Sequence, residues 1–239
     1  MRKWIALLAT FLFCAIPATA QVPKTVMAEV GAATGCGNCP DAYAGLDLMH
    51  QWYDSNEFVS VRYYGDSQSG FYTPEMGDRV TTYNLGPVGT RVPTVWFGGT
   101  VFREGGGAAT ASGLPYKALF EQSIGSSPFK MGFQIFNPSS APGTGVARVR
   151  IDCITPPGDI SRMTVKIVVY EDFVPYTDPA EGFLVHYEVA RDILDPVPLT
   201  TANPGDCQVV DKVFPVNATW VPANIHALAF VQEEGPDTT

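Results

Sequence analysis

"TGCGNCPDAYAGLDLM", Thr34 to Met49, decides how the chain is read. Two cysteines, Cys36 and Cys39, are separated by Gly37 and Asn38, and a proline follows at once. Proline has no N–H and its ring clashes with the carbonyl four residues back, so it is tolerated only in the first turn of a helix. Pro40 therefore predicts a helix start beside the cysteines, and Ala42, Leu46, Met49 and Tyr53 carry the helical spacing onward. Cys36 then lies in front of the helix N-terminus, where unpaired N–H groups and the helix dipole favour a thiolate. Cys39, about one turn on, is the more buried thiol and the one suited to resolve a mixed disulfide. Gly35 and Gly37 add little bulk around Cys36, and Asn38 can hydrogen-bond without adding charge. Asp41 works against the thiolate.

Outward from this stretch, strand and helix patterns alternate. "TVMAEVG" (Thr25 to Gly31) reads as a buried strand, and "EFVSVRYYG" places Val59, Val61 and Tyr63 on one face of another. "YTPEMGDRVTTYNL" predicts a helix with Thr73 as N-cap, Pro74 in its first position and Glu75 near the positive end of the dipole. "RVPTVWFGGTVFREGG" gives two strands turning at Gly98-Gly99, and "LPYKALFEQSIG" a closing helix. Pro93, between Val92 and Thr94, is a place for a cis peptide bond. "REGGG", Arg103 to Gly107, lacks the residues of a phosphate loop and reads as a flexible turn.

Past "SIGSSPF" (Ser123 to Phe129) the texture changes, which marks a domain boundary. "FKMGFQIF", "GVARVRIDCI", "RMTVKIVVYED", "FLVHYEVARDI", "CQVVDKVFPV" and "NIHALAFVQ" are strand-like and separated by Pro- and Gly-rich turns. The pattern predicts an antiparallel β-sandwich of immunoglobulin-like class. His186 and Arg191, five apart, fall on opposite faces of one predicted strand and read as parts of an exposed strand, not as a shared site.

"MRKWIALLATFLFCAIPATA" at the front has two basic residues, an apolar run too short to span a bilayer, and small residues at Ala18 and Ala20. It predicts a secretory signal over residues 1–20, hence an exported protein without a transmembrane span: periplasmic, outer-membrane-associated or secreted. Removing Arg2 and Lys3 with it takes the formal net charge from -9 to about -11. That balance argues against nucleic acid and anionic membrane surfaces as partners. Cys14 leaves with the signal, and four cysteines remain in an oxidising compartment. Cys153 and Cys207, each on a strand-like segment, are expected to form a structural disulfide closing a loop of about 50 residues, worth on the order of 4 kcal/mol. A zinc site at the CxxC pair would need two further ligands, and His50, His186 and His226 show no paired spacing, so no metal or other cofactor is expected.

Strand, CxxC at a helix start, strand, helix, then "VPT" opening a hairpin resembles the thioredoxin fold over about residues 25 to 125. The resemblance implies that Pro93 is cis and packs beside Cys36, and that Val92 offers backbone groups to a bound polypeptide. Thioredoxins usually carry Trp before the first cysteine, where this chain has Gly35. They also carry a buried acid that helps deprotonate the second cysteine. Its approximate counterpart, Glu29, is one residue out of register and is either a proton acceptor or an ordinary acid on an exposed strand face. With "TGCGNCP" after a Glu-containing strand and a terminal "W...NIHALAFVQ", the whole chain resembles the bacterial twenty-eight-kilodalton outer-membrane-protein-like family. The expected architecture is therefore a signal peptide at 1–20, an α/β thioredoxin-like domain at 21–125 and an all-β immunoglobulin-like sandwich at 126–239. The expected activity is thiol-disulfide exchange on protein substrates by Cys36, Cys39 and Pro93, with an unidentified redox partner. The competing expectation is a non-catalytic surface protein in which Cys36–Cys39 is a static staple.

Overall fold

The structure is a computed structural model that describes residues 22–65, 70–83, 91–136, 143–178 and 182–234; the expected signal segment lies outside them. In chain order the first half comprises β1 (Val22–Pro23), β2 (Val26–Ala32), α1 (Cys39–Trp52), β3 (Phe58–Tyr64), α2 (Pro74–Thr82), β4 (Thr94–Phe97), β5 (Val101–Glu104), α3 (Ala108–Ala111) and α4 (Leu114–Ser123). The second half comprises β6 (Ser126–Ser127), β7 (Phe129–Phe136), β8 (Thr144–Cys153), β9 (Met163–Glu171), β10 (Val174–Asp178), β11 (Gly182–His186), β12 (Val189–Pro198), β13 (Cys207–Pro215) and β14 (Ile225–Glu233), with a 3₁₀ turn at Pro222–Asn224 before the last strand.

β2 and β3 run parallel, Val26 beside Phe58 through Ala32 beside Tyr64, with α1 as the crossover between them. β4 pairs antiparallel with the other side of β2, and β5 folds back on β4. The β4–β5 turn needs positive φ at Gly98 and Gly99, 58° and 75°, which a glycine pair supplies without steric cost. Successive strand residues face opposite sides. Val26, Ala28, Val30 and Ala32 accordingly join Cys39, Ala42, Leu46 and Met49 of α1 and Tyr116 and Phe120 of α4 in one core. Val61, Tyr63 and Trp96 face the other way and pack with Met76 and Val80 of α2.

In the second half β13, β8 and β7 form an antiparallel sheet over β9, β12 and β14, and the two layers enclose Phe129, Val149, Ile151, Val165, Ile167, Val169, Val210 and Phe214 in a sandwich core. The layers do not stop at the change of texture near Ser123. β12 pairs in parallel with β3 at Val189 and Arg62, so one seven-stranded sheet runs β14-β9-β12-β3-β2-β4-β5 through both halves. Helix α2 covers the seam, because Val168 and Ala190 of the second half belong to the same cluster as Met76 and Val80.

The segment predicted as one strand from Phe183 to Ile193 is two. Glu188 sits at a φ of 55°, which breaks the run between β11 and β12. β11 then pairs not with the sandwich but with β10, a strand absent from the pattern predicted above. This hairpin leans on the first half: Val174 is buried in the core around α1, and Tyr176 packs against that core. No helix among the described residues is long and apolar enough to cross a membrane.

Candidate functional site

Helix α1 begins at Cys39 with Asn38 as N-cap and proline in its first turn, and the Cys39 N–H donates to the Cys36 carbonyl at 2.9 Å. Cys36 and Cys39 are joined as a disulfide with Cα atoms 5.4 Å apart. The two sulfurs are not equivalent. Cys36 is half-buried, whereas Cys39 retains only 2 % of its surface and is part of the core. Gly35 adopts a φ of 73°, and a side chain added at either Gly35 or Gly37 would meet no atom within 4 Å. Cys36 therefore keeps part of its surface accessible, with no side-chain bulk at the residues on either side of it, while Cys39 keeps almost none.

The Val92–Pro93 bond is cis, Pro93 is buried, and Val92 packs against the same core cluster as Cys36. Pro93 is tied to the dithiol segment through the glycine run. Its carbonyl accepts the Gly105 N–H at 2.7 Å, and a Cβ on the next residue, Gly106, would fall 2.1 Å from the Asn38 carbonyl oxygen. The "REGGG" segment is thus no flexible turn. It is the closely apposed backbone that holds the cis-proline strand against the peptide before Cys39, and only glycine allows that approach.

Glu29 is corrected in both of its expected readings. It is neither exposed, with 1 % of its surface accessible, nor placed toward Cys39. Ala28 faces α1, and Glu29, one residue on, faces α2, because a one-residue step along a strand changes the face. There it accepts from Arg79 Nε and Nη2 at 2.7 Å each, from the Tyr63 hydroxyl at 3.0 Å and from the Tyr83 hydroxyl. Burial and the adjacent Glu29 carboxylate push the Tyr63 phenol well above its usual range. Arg79 also reaches Gln232 on β14, so this buried ion pair belongs to the seam between the halves.

The expected Cys153–Cys207 disulfide is also corrected. Both thiols are free, Cys153 buried and Cys207 exposed. Cys207 lies opposite Asp152 in the β8–β13 ladder, one position from Cys153, so the two side chains leave opposite faces of the sheet. Cys153 points into the sandwich core and its Sγ–H is directed at the Thr155 carbonyl at 3.3 Å; burial and then Asp206 push its thiol up.

His186 and Arg191 are not on an exposed strand. Arg191 lies 9 % exposed at its side chain and donates to Glu171 through Nε and Nη2 at 2.9 and 2.6 Å. His186, 5 % exposed, is inserted among Tyr43, Tyr64, Phe71 and Tyr176, with ring centroids between 5.4 and 6.3 Å away. Its Nδ1 is 2.5 Å from the Tyr64 hydroxyl, which lies 3.2 Å from the Tyr43 hydroxyl on α1. Lower on the same helix face, His50 Nε2 meets Ser60 Oγ at 2.9 Å and Glu188 at 2.7 Å. Burial would raise the Glu188 carboxyl, but the hydrogen bond from His50, the charge of Arg62 and the Ser60 hydroxyl together hold it below its ordinary value. Both nitrogen contacts use Nε2, so this Ser, His and Glu set lacks the two-ended imidazole of a hydrolase triad. It is a polar joint between α1, β3 and the loop before β12. No group of three or more His, Cys, Asp or Glu able to hold a metal ion occurs among the described residues.

No known protein-family profile matches the sequence, and no curated protein matches it. A solved structure does: HBP35 of Porphyromonas gingivalis superposes with a TM-score of 0.66 at 16 % identity, covering 88 % of this chain and 69 % of that one. The likeness therefore extends across both halves and is one of fold.

Proposed function

We propose that the protein is an exported thiol-disulfide oxidoreductase, with a thioredoxin-like first half joined to an immunoglobulin-like second half. Cys36 is the attacking thiol, Cys39 the resolving thiol, and Pro93 with Val92 forms the edge on which a polypeptide lies. The observation that carries this reading is the asymmetry of the disulfide: Cys36 keeps part of its surface accessible before a helix start, between two glycines, and Cys39 is buried in the core. A thiolate at Cys36 is favoured by the N-terminal N–H groups of α1. In the reducing direction Cys36 thiolate attacks a substrate disulfide and releases one substrate thiolate. Cys39 thiolate then attacks Cys36 Sγ, forms the intramolecular bond and releases the second.

The test is turnover of a disulfide-containing protein by the reduced chain. Wild type and Cys153→Ser are expected to react alike, Cys36→Ser to be inactive, and Cys39→Ser to accumulate a mixed disulfide. A reduced wild type that forms no mixed disulfide with any protein disulfide would leave Cys36–Cys39 as a staple of the α1 start.

A further inference from the structure

Once Glu29 is removed from the dithiol, the proton of the buried Cys39 thiol needs another destination. β2 presents Ala28 to α1 and sends its acid to the opposite face. Among the described residues, the one buried histidine packs on Tyr64 and Phe71 of the cluster that holds Cys39, and it comes from the second half of the chain, on the β10–β11 hairpin. We propose that His186 takes up the Cys39 proton through Tyr64 and Tyr43, which makes the hairpin part of the redox centre. This role rests on the oxidoreductase reading for its use in turnover, but the proton coupling itself can be measured without turnover.

Four observations converge. Tyr43 follows Cys39 by one helical turn, where side chains i and i+4 are neighbours and the later one leans back toward the helix start. Its hydroxyl is 3.2 Å from that of Tyr64, which is 2.5 Å from His186 Nδ1, so a file of exchangeable protons runs from Tyr43 to His186. Cys39, Tyr64, Phe71 and Val174 share one core cluster, with Cys36, Tyr43 and Tyr176 packed against it, so the file is buried at Tyr64 and His186 and half-buried at Tyr43. The Arg62 guanidinium lies 4.1 Å over the Tyr43 ring and interacts with the hydroxyls of Tyr64 and Tyr43, a fixed positive charge that eases the passage of a transient phenolate. Among the described residues, the groups that face His186 include Tyr43 from α1, Tyr64 from β3, Phe71 from the segment before α2 and Tyr176 from β10. Arg191, ion-paired with Glu171, lies 5.1 Å over the Phe71 ring.

The step balances within the chain. Cys39 loses its thiol proton to Tyr43, Tyr43 passes its own to Tyr64, Tyr64 passes its own to His186, and a neutral imidazole becomes an imidazolium. The Cys39 thiolate then attacks Cys36 Sγ, the Cys36–substrate bond breaks, and the substrate sulfur leaves with the electron pair. His186 is a positioning residue in this scheme, since it acts on the thiol through the two tyrosines, and Tyr43 is the member of the file that lies one helical turn from Cys39.

The experiment is a pH titration of the fully reduced chain labelled at cysteine Cβ with ¹³C, which reads Cys39 separately from Cys153 and Cys207. His186→Gln is expected to raise the Cys39 titration by about one pH unit and to remove a minor inflection in the histidine range near about pH 6.5. Tyr43→Phe keeps the ring under Arg62 but breaks the file, and is expected to do the same; it also serves if His186→Gln does not fold. His226→Gln, exposed and remote, is the control and is expected to leave Cys39 unchanged. A Cys39 titration identical in wild type, His186→Gln and Tyr43→Phe overturns the proposal. Turnover with an unmoved titration refutes the proton file and spares the oxidoreductase reading, whereas a coupled titration without turnover supports the file and refutes that reading.

Discussion

The molecule holds two pairs of cysteines, and they behave in opposite ways. Cys36 and Cys39 straddle a helix start, where the chain folds back within one turn and brings the sulfurs together. Cys153 and Cys207 lie on neighbouring strands, and their backbones come as close as ladder partners do, yet they remain free thiols because the ladder places them one residue out of step. Closeness along a helix start implies closeness of sulfurs. Closeness across a sheet implies it only when the two positions share a face. The same one-residue parity separates Ala28, which faces the dithiol, from Glu29, which faces α2.

The largest expected effect tests the division of labour between the pairs. Cys36→Ser should lower turnover of a disulfide substrate by roughly a thousandfold or more, as loss of a covalent nucleophile does. Cys207→Ser should leave it unchanged within assay error. Equal losses in both variants would mean that the two pairs exchange with one another.

Next comes stability at the seam. Arg79→Met strands the Glu29 carboxylate in a site where it is 1 % exposed, and should cost about 3 to 5 kcal/mol in denaturant unfolding. Cys36 reactivity in the surviving folded fraction should be unaltered, because this ion pair lies across the sheet from the dithiol. A changed Cys36 reactivity without loss of stability would return Glu29 to the redox centre.

A smaller effect is expected at the glycine contact. Gly106→Ala drives a methyl group toward the Asn38 carbonyl oxygen, 2.1 Å from the ideal Cβ, and should cost roughly 1 to 3 kcal/mol while altering the alkylation rate of Cys36. Unchanged stability and rate would show that the loop holds nothing in place. The second cysteine pair offers a comparison of its own: in the native protein an alkylating reagent should modify Cys207 about a hundred times faster than Cys153, whose thiol is buried and raised in pKa.

How much of this the sequence discloses depends on how local the cause is. Pro40 limits where α1 begins, and Gly98-Gly99 turns the β4–β5 hairpin, each through its own backbone, so the helix and the hairpin could be read directly. The "VPT" segment could be read because its meaning rests on element order along a short span. The union of the halves could not, since the shared sheet continues through a parallel register, Val189 beside Arg62, between segments far apart in the chain. Nor could the break at Glu188, a residue without the usual tolerance for positive φ, which turns an apparently continuous strand into β11 and β12 and carries His186 from an exposed face into the core. The signal for Cys153 was present in its alternating strand, but which residue of β13 lies opposite was not.

The smallest expected effect concerns the polar joint beside that break. The Glu188 carboxyl is held below its ordinary pKa in the folded protein, so its ionised form stabilises the fold above the ordinary carboxylate range, and that stability is lost as pH falls through the lower, folded value. Glu188→Gln should therefore reduce stability at pH 7 and flatten its decline on acidification. A decline as steep as in wild type would place the acid sensitivity elsewhere.

The most direct test of the central claim is the reduction potential of the Cys36–Cys39 pair in the full chain, measured against glutathione buffers. An exchanging dithiol at an open helix start is expected to lie above about -300 mV, within reach of catalytic partners. A value well below that, with a Cys36 thiol that does not react after reduction, would contradict the account and leave the pair as a permanent closure of the turn before α1.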